Sequence, residues 1–237
     1  MTNTRPIEGT LVRSYATRFE GEETPISEGG MWLNGRKDGI DWIDVISKDG
    51  ECFGAVSRMG APERRAEQGN LEASDEEAPA EGDYDDPTAV LTGEWGPNQH
   101  GQATVFIRNP TEEYFQEVQF RLRHTMVPHS CTGYEVFWRC FKGEASYAEI
   151  VRWDGAIGRW KSLQRHTGPE VGIVDGDKVE ATIIGNVLKG YINGVEVISA
   201  VDDTYAAGAP GVGFNFGVGN TNVDHGLTHF EVDTYDG

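Results

Sequence analysis

The chain has 237 residues, 31 of them glycine, with 10 Phe, 6 Trp and 8 Tyr, and a formal net charge of −19. So acidic a composition leaves no basic face for phosphate, which excludes nucleic acid as a partner and disfavours an anionic membrane surface. No apolar run is long enough to insert into and span a bilayer.

A core of this size is stable without disulfides or metal. The three cysteines, Cys52, Cys131 and Cys140, are therefore read as buried free thiols, the alternative being one disulfide with a spare thiol. The start of the chain, MTNTRPIEGTLVRSY, lacks an apolar signal-peptide region.

Residues 11–20 and 40–47 read as strands separated by the turn-rich SEGGMWLNGRKDG. Residues 62–86 are strongly acidic and poor in apolar side chains, so they read as a solvated loop or insertion within a single domain of residues 1–237. From residue 88 onward, short period-two runs follow one another: TAVLTGEW, QATVFIRN, EVQFRLRHTM, YEVFWRCF, YAEIVRWD, KVEATIIG, VLKGYIN, VEVISAVD, GVGFNFGV and THFEVDTYD. Gly, Asn, Asp and Pro bound them, which predicts an all-β sandwich or jelly roll of two antiparallel sheets with almost no helix. Gly185-Asn186 and Asn193-Gly194 predict two tight reversals, and thus a three-stranded antiparallel meander over 178–202.

The phrases GDKVEATIIGNVLKGYINGVEV and DDTYAAGAPGVGF, with YEVFWR and YAEIVRWDG before them, resemble the concanavalin A-like lectin/glucanase superfamily. The similarity is to its laminin-G-like and family-16-glucanase-like branches. The resemblance implies that one sheet is concave, that a polysaccharide or oligosaccharide lies across it, and that the protein acts outside the cell or at its surface. It also implies one structural Ca²⁺ between the first and last strands, with Glu20 and Asp233 as matching ligands, and no organic cofactor.

On such a face the strand residues opposite the core set would meet the glycan. Beside the apolar Val118, Phe120 and Leu122, with Met126 as a further candidate for the same core set, this leaves Gln119, Arg121 and Arg123. The next strand leaves Glu135, Phe137 and Arg139. In YAEIVRWD either Tyr147, Glu149, Val151 and Trp153 or Ala148, Ile150 and Arg152 face outward. Three arginines on one face suggest recognition of an acidic polysaccharide, with Phe137, Tyr147 or Trp153 as stacking surfaces and Arg152 as a further contact. The opposing reading is a solvated sheet with cross-strand ion pairs to Glu117, Glu135 or Glu149.

The family-16 pattern E-x-D-x-(x)-E is absent from every strand. EASDEE at 72–77 has the letters but lies in the acidic loop. Glu135 and Glu149 remain as a carboxylate pair for hydrolysis. His124, His129 and Tyr147 remain as proton carriers for β-elimination beside Arg and Gln, although the alginate-lyase motifs R-x-E-L-R and Q-I-H do not occur. The expected function is polysaccharide binding with cleavage by a lyase or hydrolase mechanism. The competing readings are a non-catalytic carbohydrate-binding or adhesion module and a structural surface or virion domain.

Overall fold

The computed structural model describes residues 9–35, 42–55, 84–128, 130–156, 159–216 and 222–237. Residues 62–83 of the acidic stretch and His129 lie outside the described residues. Two eight-stranded sheets pack face to face. The first, sheet A, runs in the order β14 (Val195–Val201), β13 (Val187–Ile192), β12 (Lys178–Ile184), β7 (Asn98–Ile107), β16 (His225–Tyr235), β5 (Glu51–Gly54) and β4 (Val45–Lys48). β1 (Leu11–Thr17) also pairs with β16. Sheet B runs β11 (Trp160–Thr167), β10 (Tyr147–Ala156), β9 (Ser130–Arg139), β8 (Gln116–Val127), β15 (Ala209–Phe216), β6 (Tyr84–Leu91) and β2 (Trp32–Asn34). The two-residue β3 (Trp42–Ile43) lies parallel to β6, and all other pairings are antiparallel. The helical segments among the described residues are two three-residue 3₁₀ turns. None of these is long and apolar enough to cross a membrane.

Period-two alternation builds the core. Val118, Phe120 and Leu122 of β8, Tyr134, Val136 and Trp138 of β9, and Ala148 and Ile150 of β10 face Ala103, Val105, Val179, Ala181, Ile183, Phe230 and Val232 of sheet A. Phe120 forms edge contacts with Trp138 at 6.0 Å and packs on Phe230 at 5.8 Å. Burying so many large apolar side chains supplies most of the driving force, at roughly 1.5–3 kcal/mol each. The meander forms as expected. Gly185 has φ 59°, and Asn193-Gly194 has φ 51° and 78°, the left-handed pair that a two-residue hairpin loop requires. Cys52, Cys131 and Cys140 are free and buried.

Three strands escape the sequence pattern, the first being β2, which lies within the segment read as turn-rich. β5 has only four residues. β11 is the edge of sheet B, and its segment WKSLQRHT is mostly exposed and shows no apolar alternation.

Candidate functional site

The face of sheet B turned away from the core is also buried, but with different chemistry. Register places Thr88, Gly213, Gln119, Phe137, Glu149 and Arg165 in one row across six strands. A second row holds Val90, Gly211, Arg121, Glu135 and Val151. Tyr147, Glu149, Val151 and Trp153 of β10 are therefore the outward set, and Arg152 is directed the other way. Glu117, Glu135 and Glu149 each come from a different strand, so the three carboxylates converge across the sheet rather than along one strand.

At one end the face is closed. Arg121 is 0 % exposed and ion-pairs with Glu135. Its Nη2 donates to Gln119 Oε1 at 2.7 Å and to Thr88 Oγ1 at 3.0 Å. Its guanidinium lies 5.1 Å from the Trp42 ring and 5.5 Å from the Trp153 ring, and those two rings meet edge to face at 5.0 Å. Trp153 Nε1 also donates to Glu135 Oε2 at 2.7 Å. Glycine makes room for this: a Cβ on Gly213 would sit 2.4 Å from Gln119 Oε1 and 3.0 Å from Arg121 Nη2.

The other end is more accessible. Phe137 and Tyr147 are 8 % and 9 % exposed and pack edge to face at 6.2 Å. Arg165, 46 % exposed at its side chain, donates to Glu149 Oε2 at 2.5 Å and stacks 3.9 Å over the Tyr147 ring. The Tyr147 hydroxyl donates to Glu117. Burial pushes the Glu117 carboxyl up from 4.5 to about 7, with the charges of Glu135 and Glu149 adding to the rise while Tyr147 and Arg165 oppose it. Burial pushes Glu135 up as well, against the pull of Arg121. Burial and the neighbouring Glu117 hold the Tyr147 phenol well above 10.

The expected strip of three arginines is corrected on two counts. A bulge in β8 between Leu122 and Thr125 breaks the alternation. Arg123 adopts φ 46° and leaves the Arg121 face. Its guanidinium donates to the carbonyls of Pro97 (2.7 Å), Tyr205 (3.0 Å) and Gly185 (2.7 Å), the last in the β12–β13 reversal. Arg139 stays on the face, but its donors hold the carbonyls of Ala145 (2.7 Å), Glu112 (2.8 Å) and Tyr114 (3.3 Å). Arg152 is corrected too: on the opposite side of β10 it pairs with Asp154 at 2.6 Å and Asp202 at 2.7 Å.

Alternation resumes beyond the bulge with His124 and Met126 on the Arg121 face, where Met126 and Cys131 join the buried cluster of Phe137, Tyr147 and Trp153. Burial and the charge of Arg121 hold His124 well below 6.5. Glycines enclose the bulge. A Cβ on Gly133 (φ 126°) would approach the Arg123 carbonyl oxygen to 2.5 Å, and one on Gly208 (φ 147°) would approach the Arg123 carbonyl carbon to 2.2 Å. Gly208→Ala is accordingly expected to destabilise the fold by about 3 kcal/mol through overpacking and backbone strain. Urea unfolding checks this, and an unchanged midpoint would contradict the bulge packing.

Glu20 and Asp233 are not brought together. Asp233 pairs with Ser14, accepting its hydroxyl at 2.5 Å. Thr17 is about 10 Å further along the strand at ~3.3 Å per residue, and Glu20 lies beyond it, beside Arg18, Glu28 and His229. Among the described residues no group of three or more His, Cys, Asp or Glu is placed to hold a metal ion.

Sequence reasoning assigned no role to Arg165, Trp42 or Thr88, and counted Glu117 only as an ion-pair partner. Glu117 shares the phase of Gln119 and Arg121, so its place on the face was readable from the period of β8. Arg165 lies on the unrecognised edge strand.

No family model matches the chain, and no curated protein matches it in sequence. Its backbone does match solved structures. One is the carbohydrate-binding module CBM66 from Bacillus subtilis, with TM-score 0.51 and 10% identity, covering 89% of this chain and 96% of that one. Another is LamA from Z. galactanivorans, in complex with laminaritriose and laminaritetraose, with TM-score 0.53 and 8% identity, covering 97% and 100%. A third is the GlcNAcα1-4Gal-releasing endo-β-galactosidase from Clostridium perfringens, with TM-score 0.51 and 8% identity, covering 98% and 65%. The chain has the two-sheet jelly-roll fold of the concanavalin A-like lectins and glucanases.

Proposed function

We propose that this protein binds a glycan against the outer face of sheet B, at the accessible end formed by Phe137, Tyr147, Glu117, Glu149 and Arg165. The observation that carries this reading is the pairing of aromatic faces with fixed carboxyl and guanidinium groups in one register row. An ordinary solvent-side sheet face holds mobile, exposed charges, whereas here the rings and carboxyls are buried and the exposed Arg165 is fixed by Glu149 and the Tyr147 ring, as a sugar's alternating C–H and O–H surfaces require. The fold shared with CBM66 and LamA supports it.

The favoured ligand is a neutral glycan. Arg121 is paired with Glu135 and Arg165 with Glu149, Arg139 holds main-chain carbonyls, and the Glu117 carboxyl, pushed up to about 7, is only partly charged at neutral pH. Among the described residues no guanidinium on this face is left over for a uronate carboxylate, and the chain's charge of −19 repels anions.

Saturable quenching of tryptophan fluorescence by a neutral oligosaccharide, but not by polyuronates, is the expected result of a titration panel. Phe137→Ala should weaken binding about tenfold, the equivalent of ~1.4 kcal/mol from a lost stacking surface. Absence of binding to every neutral glycan tried would overturn the proposal.

A second reading, glycosidic hydrolysis, is favoured by Glu117 specifically. A carboxyl held protonated to about pH 7 beside the arginine-paired carboxylate of Glu149 matches the acid and base roles of a glycosidase. Release of reducing ends tests it. β-Elimination is less well supported, because Tyr147 donates its proton to Glu117 and its phenol is raised, not lowered, the opposite of what a base near neutral pH needs.

A further inference from the structure

The bulge in β8 places on the closed end of the same face a group of side chains for which glycan binding has no use. Met126 lies directly opposite Cys131 on the neighbouring strand, and both are in the buried cluster under Trp153. His124 precedes Met126 by two residues on the same strand and face. Directly opposite side chains have Cβ atoms about 5 Å apart and diagonal ones about 7–8 Å, a span that an imidazole, a thioether and a thiol can close around one atom. His124 is 1 % exposed, and neither of its ring nitrogens finds a hydrogen-bond partner among the described residues. A buried polar group without a partner destabilises a fold unless something binds it. The position is built: a left-handed Arg123 and two glycines, Gly133 and Gly208, pressed against the bulge, turn His124 inward.

We propose that His124, Met126 and Cys131 form a binding site for a soft monovalent metal ion, copper(I). One imidazole nitrogen and two sulfurs suit a soft cation, whereas calcium or magnesium would need oxygen ligands. A neutral imidazole ligates metal through either ring nitrogen, both nitrogens of His124 are unpartnered among the described residues, and Cys131 is a free thiol. On binding, the Cys131 S–H proton leaves to solvent as the sulfur–metal bond forms, and no electron is transferred. The thiolate then balances the single positive charge. Arg121, which faces this corner, is ion-paired with Glu135. A divalent ion would leave uncompensated charge in a buried place.

The test is anaerobic titration of the reduced full chain with copper(I) against a competing chelator, with silver(I) as a redox-inert probe. One equivalent of copper(I) should be taken from the chelator. Cys131→Ser and Met126→Leu should each weaken binding at least about 100-fold, since loss of even an outer-shell partner weakens sites by up to that factor. Cys52→Ser and Cys140→Ser should leave affinity unchanged. Silver(I) should raise the thermal midpoint of the parent chain and not that of Cys131→Ser. If Cys131→Ser fails to fold, Met126→Leu, which conserves volume, decides alone. No uptake from the chelator, uptake indifferent to Met126→Leu, or tighter binding of zinc(II) than of copper(I) would each overturn the site.

Discussion

Arg121→Ala is expected to lower the unfolding free energy by about 3–5 kcal/mol, the loss typical when one member of a buried ion pair is removed. The guanidinium is fully buried and is the only charge paired with Glu135 among the described residues. Its removal leaves the Glu135 carboxyl with the Trp153 indole as its one hydrogen-bond donor among the described residues, and strips partners from Thr88 and Gln119. The attraction and the desolvation penalty largely cancel in the intact pair, so removing both charges should be far milder. The double variant Arg121→Met, Glu135→Leu is expected to recover most of the loss. Urea unfolding of the two single variants and the double variant completes the cycle. A double variant as unstable as Arg121→Ala would mean that Arg121 acts through packing between Trp42 and Trp153 rather than through its charge.

The meander over 178–202 was readable in the sequence because local chemistry dictates it: Asn193-Gly194 admits a left-handed pair and little else. The core set of β8, β9 and β10 was readable because alternation needs no tertiary information. Arg123 was misplaced because a bulge inserts one residue into the count, and nothing in RLRHTM announces it. The cause lies outside β8, in Gly133 of the neighbouring strand and Gly208 far along the chain, whose missing side chains admit the bulge. β11 was unreadable for another reason. An edge strand buries few of its own side chains, so WKSLQRHT carries no apolar period, and Arg165 went unseen with it. The three carboxylates also could not be found along a single strand, because register assembles them from three. Which of them is protonated depends on burial by neighbours, a property of the folded state alone.

Glu117 carries the second large effect. Its carboxyl titrates at about 7 in the folded protein, against 4.5 for an ordinary glutamate. A carboxyl raised in this way favours the folded state while protonated. That contribution is complete below pH 4.5 and is lost as pH rises through 7. At about 1.36 kcal/mol per unit, the loss is about 3 kcal/mol. Glu117→Gln keeps an acceptor for the Tyr147 hydroxyl but cannot ionise, so it should be more stable than the parent at pH 8 and closely matched at pH 4.5. The raised Glu135 acts in the same direction, and the lowered His225, at about 4, in the opposite one. Both are present in parent and variant, so the difference between their urea midpoints against pH follows the Glu117 ionisation together with its coupling to Glu135 and Glu149. A difference flat from pH 4.5 to 8 would mean that Glu117 ionises freely. In that case the carboxyl has no proton to donate at neutral pH, and the hydrolytic reading fails with it. If the stability difference appears and glycan binding survives in Glu117→Gln while release of reducing ends does not, the same carboxyl is the proton donor. If binding survives and no release occurs in either protein, Glu117 serves the site as a neutral hydrogen-bonding group and the protein as a binding module.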